Sequence, residues 1–416
     1  MTMTMTMIGR LRKSFCVFAL IAGVAQAQIQ HVVVIIKENH SFDNYFGLFP
    51  GANGATTGKS KTDKNIPLTP MSDKPVNCTH TWAAAHKDMD GGKMDGFYDE
   101  CAADAYVQAQ PSLIPNYWAY AKAYGLADNF FGQIAGPSFP SHMYIFSENS
   151  GNAVDIPNTS GAVGWGCDAA AEGATVKSIE PSTGAVYYQP PCFTMTTMAD
   201  TIDAAKVTWR IYSAQPAQGG YVFNFGSYYN NFWSGTQRAN DVPNAQFCGD
   251  VTSGKLPQVS WITPPVGASD HPPFSITTGE NWTVSQVNCL MNSPYWSSTL
   301  MLIVWDDWGG FYDHVAPADA GFFGYGMRVP LLVISPYAKP GYVGHTLYSF
   351  DSINKEIETI FKVPCLLTDC NASVNDLSDM VTSTPSVPAL VLTPRPSVKQ
   401  KGPLVLDGVT QKDDDD

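Results

Sequence analysis

The chain has 416 residues, 44% of them hydrophobic, which is ample for a large core. Its formal net charge is −13, with no Lys/Arg run beyond the first residues. That balance argues against nucleic acid, or a strongly anionic membrane, as the main partner.

Residues 10–27 read as a secretory signal. Arg10, Arg12 and Lys13 form a basic region, residues 15–24 an apolar one, and Ala25-Gln26-Ala27 an A-x-A cleavage site. The expectation is a mature chain starting near Gln28, secreted or periplasmic. The apolar run is about half the length a bilayer span needs, and no later stretch is long enough, so membrane contact is at most transient. An oxidising destination suits the cysteines. Beyond Cys16 there are eight, and their spacing favours sequential pairs: Cys78/Cys101, Cys167/Cys192, Cys248/Cys289 and Cys365/Cys370. The opening MTMTMTM and closing QKDDDD read as added sequence, the latter as part of an acidic tag.

Short apolar runs at residues 31–36, 207–212, 258–262, 300–305 and 329–334 read as strands buried on both faces, as in a parallel sheet. Helical spacing is clearest over 346–362, where Leu347, Phe350, Ile353, Ile357 and Ile360 recur every three or four residues. Residues 112–124, 193–205 and 283–291 also suit helices. The alternation predicts an α/β fold with a central, mostly parallel sheet flanked by helices. Residues 51–64 and 149–190 read as long surface excursions, and Pro-rich 384–404 as an extended segment. The expected organisation is one catalytic domain over 28–395, with a tail over 396–416.

Open α/β sheets gather ligands beyond the carboxyl ends of their strands. In HVVVIIKENHSFDNYFG, a β-branched run ends in Glu38 and Asn39; in MLIVWDDWGGFYDHV, another ends in Asp306 and Asp307. Three carboxylates and an amide at two strand ends form a hard oxygen site for one divalent cation. Oxygen donors favour calcium, magnesium or manganese, while zinc also binds carboxylates. In GQIAGPSFPSHMYIF, Ser138 precedes a helical stretch. A hydroxyl there is ordinarily an N-cap. Its other use is as a nucleophile, activated by the metal and facing a phosphate held at the helix N-terminus. His80, His86, His271 and His314 lie in polar, turn-rich contexts, and phosphoryl transfer needs positive groups and a leaving-group acid.

The motifs VVVIIKENHSFDNYFG, THTWAAAHKDMDGGKMDGF, GPSFPSHMY, SDHPP and WDDWGGFYDHV, in order over residues 31–361, resemble those of the bacterial phosphoesterase family of secreted acid phosphatases and phospholipases C. The resemblance implies an alkaline phosphatase-like fold. It implies one metal held by Glu38, Asn39, Asp306 and Asp307, with Ser138 as nucleophile and additional metal contact. It implies phosphate-contacting histidines at His80 and His271, with His314 a further candidate catalytic residue. The substrate it implies is a phospholipid or a phosphomonoester, with phospholipase C slightly favoured over acid phosphatase. The sequence departs from the family where Arg is often found and His40 stands, and where Asn-Arg is often found and Ser141-His142 stand. Those histidines either contact phosphate or pack. Two remoter readings remain. A sulfatase needs an arginine where His142 sits, and a non-catalytic binding protein is disfavoured by a complete ligand set. The aromatic stretch 221–235 either lines a choline-accepting site or packs in the core.

Overall fold

A computed structural model describes residues 29–159, 164–319, 324–367, 370 and 372–396. The expected signal segment and the expected tail from residue 397 onward lie outside the described residues.

Eight strands form the main sheet: β1 (His31–Lys37), β2 (Gly125–Ala127), β3 (Trp209–Ser213), β4 (Asp241–Pro243), β5 (Val259–Ile262), β6 (Thr299–Trp305), β7 (Leu331–Ile334) and β8 (Tyr342–Gly344). Their order across the sheet is β4-β3-β5-β1-β6-β7-β2-β8. β1 sits in the middle, parallel to β5 on one side and β6 on the other. Pairing is parallel from β4 through β6 and again between β2 and β8; only β7 runs antiparallel, to both β6 and β2. The fold is therefore α/β with a mostly parallel sheet, as the alternation predicts.

The reason lies in the strand sequences. Residues 32–36 and the whole of β6 are buried, and only a strand covered on both faces tolerates such a run. The covering helices include α1 (Phe42–Phe46), α2 (Trp82–Met89), α3 (Pro115–Ala123), α4 (Ser138–Ser147), α5 (Met198–Ala204), α6 (Ile276–Met291) and α7 (Phe350–Phe361). α3 packs with α6, and α4 packs with α5 and α7. α7 buries Phe350, Ile353, Ile357 and Ile360, the periodic set read from the sequence. α6 starts seven residues earlier than its predicted start, capped by Ser275, whose side chain accepts from Thr278 N. Its first turn holds two threonines and a glycine, poor helix formers that hide it from a propensity reading.

Both predicted excursions carry structure. Val176–Ile179 and Val186–Gln189 form a hairpin beside the Cys167–Cys192 bridge, and Thr57–Gly58 pairs with Ile66–Pro67. The described part of the Pro-rich stretch is extended along α6. Asn288 Nδ2 donates to Leu392 O, Asn281 Nδ2 donates to Arg395 O, and the Arg395 guanidinium pairs with Glu280.

Three of the four expected disulfides are present, Cys78–Cys101, Cys167–Cys192 and Cys365–Cys370. The fourth is corrected: Cys248 and Cys289 are free thiols joined by a side-chain hydrogen bond. Replacing Cys78 and Cys101 together by serine is expected to lower stability by about 3 kcal/mol, since that bridge closes a loop of sequence separation 23. Chemical denaturation checks this, and an unchanged midpoint contradicts it.

Candidate active site

The central strands deliver the site. β1 ends at Lys37 and β6 at Trp305, in register with each other, so Glu38, Asn39, Asp306 and Asp307 leave the sheet side by side. All four are buried. Asn39 turns sharply, at φ 58°, and its N–H donates to Asp306 Oδ1 at 3.0 Å. Gly309, at φ 63°, lets the 306–310 turn pass over Asn39, because a Cβ there would collide with the Asn39 carbonyl.

Ser138 is the first residue of α4, after Pro137, and no side chain caps that helix. Its hydroxyl is therefore not an N-cap. Oγ donates to Glu38 Oε2 at 2.9 Å and stands 3.4 Å from Asn39 Oδ1 and 3.3 Å from Asp307 Oδ2. The five residues read as metal ligands are thus brought together, with the serine oxygen at the open N-terminus of a helix.

His80 fixes the Asn39 amide. Its Nδ1 lies 2.7 Å from Cys78 O, so Nδ1 carries the proton, and Nε2 accepts from Asn39 Nδ2 at 2.9 Å. That holds Asn39 Oδ1 toward Ser138. Burial lowers the His80 pKa. His271 faces His80 with ring centroids 5.8 Å apart and is partly exposed; its Nδ1 is 2.5 Å from Pro272 O, which leaves Nε2 as its free nitrogen. Burial, then the neighbouring His80, lowers its pKa to about 4. Burial thus works against an imidazolium at both histidines.

His314 is not drawn into this group. Its Nδ1 bonds Asp43 Oδ2 at 2.6 Å and its Nε2 lies 3.2 Å from Asn53 Oδ1. Asp43, together with Asp313, binds the buried Arg328. His86 also stays on its own helix, with Nδ1 2.8 Å from Trp82 O. His40 packs in the interior, stacked on Tyr45 and bonded to Asp270 O.

The residue that sequence reasoning left open is His142. It lies one helical turn beyond Ser138, and that four-residue spacing on one face was the available signal. Its Nε2 is 3.1 Å from Glu38 Oε1 and 3.3 Å from Asp306 Oδ2. Each oxygen of Glu38 is thus met by one residue of α4. Most aromatic rings of 221–235 are core; Phe223 alone stacks toward His271, at 6.4 Å.

The electrostatics fit a cation. Burial, then Asp306, raises Glu38 to about 8, and the same two causes raise Asp307. Burial alone would lower His142, but the Glu38 and Asp306 carboxylates raise it to about 9. Glu38 Oε1 and Asp306 Oδ2 accept no hydrogen bond of good geometry among the described residues. Glu38, His142 and Asp306 are close enough to hold a metal ion in common. A hard divalent cation suits this donor set.

A stability prediction follows with a definite sign. Glu38 keeps its proton in the fold up to about pH 8 but releases it near 4.5 when unfolded; His142 keeps its proton to about 9 against 6.5. Over that window the folded state binds more protons, so metal-free protein loses stability as pH rises from about 4.5 to 9. Added divalent ion, which favours ionised carboxylates, is expected to raise Tm more at pH 8 than at pH 5. Calorimetry with and without chelator tests it, and a metal increment larger at pH 5 contradicts it.

Residues 29–364 match the Phosphoesterase family. The chain is 27% identical over 411 residues to the non-hemolytic phospholipase C of Burkholderia pseudomallei, covering 80% of this chain and 55% of that protein. It is 24% identical over 423 residues to phospholipase C B of Mycobacterium tuberculosis, covering 84% and 77%. Against the non-hemolytic phospholipase C of Pseudomonas aeruginosa the values are 25% over 392 residues, 80% and 54%. The chain spans about half the length of the Burkholderia and Pseudomonas relatives. No helix among the described residues is long and apolar enough to cross a membrane.

Proposed function

This chain belongs to the Phosphoesterase family, and we propose that it is a secreted phosphoester hydrolase using Ser138 as nucleophile and one divalent metal ion. The observation that carries the reading is the Ser138 hydroxyl at an uncapped helix start, within 2.9–3.4 Å of Glu38, Asn39 and Asp307.

In the first step Ser138 Oγ bonds to phosphorus while the bond from phosphorus to the leaving oxygen breaks. The serine proton passes toward Glu38 Oε2, where the hydroxyl already donates. The leaving alcohol departs with a proton, a role open to His271 Nε2, the ring nitrogen not bonded to Pro272 O, at the partly exposed edge of the site. A bound phosphate raises the pKa of His271 by its negative charge. Water then bonds to phosphorus as the bond from phosphorus to Oγ breaks; His271 Nε2 takes the water proton, Oγ regains its own from Glu38, and the phosphate product leaves. Glu38, Asn39, Asp306, Asp307 and Ser138 would hold the ion, which supplies charge neutralisation and a lowered serine pKa. Calcium, magnesium, manganese and zinc are the ions to compare.

The substrate we favour is a phospholipid cleaved between phosphate and diacylglycerol, because the relatives are phospholipases C. The alternative is a phosphomonoester. Purified protein with each divalent ion, offered dispersed phosphatidylcholine and an aryl phosphate, separates them. Diacylglycerol release supports the first and aryl phosphate turnover alone the second; turnover of neither removes both.

A further inference from the structure

We propose that Lys37 and Asp270, a buried ion pair, act as positioning residues that fix the loop carrying His271 against the metal-ligand end of β1. The inference rests on the reading of His271 as a substrate-facing group, and it assigns work to two residues that the mechanism above does not use.

Lys37 is the last residue of β1, directly before Glu38. Its side chain has no exposed surface, and Nζ lies 3.1 Å from Asp270 Oδ1, also unexposed. Nζ donates as well to Ala268 O at 2.6 Å and Gly279 O at 3.3 Å. Two hydrogen bonds and one charge–charge contact thus tie the ammonium to the 268–270 loop and the start of α6.

Asp270 is gripped from other sides too. Tyr117 OH donates to Oδ2 at 3.0 Å, and His40 Nε2 lies 3.0 Å from its carbonyl. One residue earlier, Ser269 O accepts from Glu38 N at 2.9 Å. The Asp270 backbone is left-handed, at φ 76°, a conformation uncommon for any residue but glycine. Gly279 makes the arrangement possible, since a side chain there would collide with the Asp270 carboxylate. The residue that leaves this held turn is His271, whose ring faces His80.

A buried ion pair is a weak source of stability, because desolvation offsets most of its attraction, but it is strongly directional. A neutral pair of similar shape can preserve the fold. It would not hold the turn at the same angle, and a displacement of about 1 Å at a reacting group costs on the order of 100-fold in rate. That contrast separates position from stability.

The test compares wild type, Lys37→Met, Asp270→Asn and the double variant, all with divalent ion. Lys37→Met alone leaves a buried carboxylate unpaired and is expected to lower Tm. The double variant is expected to regain Tm and bind one ion, while kcat stays reduced on the order of 10- to 100-fold with KM little changed. Asp270→Asn keeps the Tyr117 and His40 contacts and serves as the folded comparison if Lys37→Met does not fold. The ring carbon–proton NMR signal of His271, assigned with His271→Ala, supplies a readout independent of turnover. A shifted His271 signal in the folded double variant supports the proposal. Wild-type kcat, or an unshifted His271 signal, overturns it and leaves the pair as charge neutralisation only. Absence of turnover in wild type removes the proposed reaction instead, and the NMR comparison still decides the positioning.

Discussion

Ser138→Ala is expected to lose turnover by about three orders of magnitude or more while keeping the fold and one bound ion. Removing the nucleophile of a covalent mechanism has effects of that size or larger. The fold should survive because Oγ makes no helix cap and its loss opens only a small space beside three carboxylate-bearing or amide side chains. Ion binding should survive because three carboxylates and the Asn39 amide remain, with Asn39 still aligned by His80. The competing mechanism is direct attack by water activated at the cation, which forms no serine ester. The two differ in stereochemistry. Two successive displacements retain configuration at phosphorus, and one inverts it. Retention, or phosphoserine trapped at residue 138, supports the serine mechanism. Inversion together with near-normal turnover in Ser138→Ala removes it.

Of the residues proposed to face the metal, Glu38, Asn39, Asp306 and Asp307 were legible because they come at the ends of two long β-branched or aliphatic runs. A run such as 31–36 has one reading, a strand buried on both faces, and the residue after it has one address. Direction is another matter. The run at 329–334 gives no sign that β7 lies antiparallel to β6, because a doubly buried strand looks alike in either sense. The strands Gly125–Ala127, Asp241–Pro243 and Tyr342–Gly344 escaped because three residues with Gly, Ala, Asp or Pro carry little β signal. β2 and β4 pair because the stronger β7 and β3 present an edge to them, and β8 in turn pairs with β2.

Histidines divide along similar lines. His80 and His271 sit in motifs and reach the site, and burial favours the neutral form of both rings. His314 shares a motif with Asp306 and Asp307, but the Gly309-Gly310 turn, with both residues at positive φ, redirects the chain, and Asp43 captures the ring. Motif proximity does not survive two left-handed residues. His142 needed a three-dimensional argument, the helical spacing from Ser138 combined with the place where β1 and β6 end.

Asp306→Asn is expected to weaken divalent-ion affinity by one to two orders of magnitude or more and to reduce turnover at least as far, with the strands in place. Asp306 does two jobs at once. Oδ1 accepts from Asn39 N at 3.0 Å and Asp307 N at 2.8 Å, which shapes the turn holding both neighbouring ligands. Oδ2 faces His142 and the cation site. An asparagine keeps the first job through its amide oxygen and loses the charge needed for the second. Glu38→Gln should behave alike for ion binding, but for a different reason: it retains the acceptor for Ser138 only if its amide oxygen takes the Oε2 position, with the amide nitrogen then facing His142. Glu38→Gln also removes a carboxylate that burial and Asp306 push up, so this metal-free variant should be as stable as wild type or more so at pH 8; Asp306, held below the usual carboxylate range by His142 against the effect of burial, should instead cost stability when neutralised. The informative result is the pairing of opposite signs in Glu38→Gln, higher metal-free Tm with poorer ion binding, read by calorimetry and by direct ion titration on the same samples. Wild-type ion affinity and turnover in both variants would rule out this ligand set. A fall in metal-free stability of Glu38→Gln at pH 8 would instead show that Glu38 helps hold the turn together without a cation, and that burial and repulsion do not dominate its energy there.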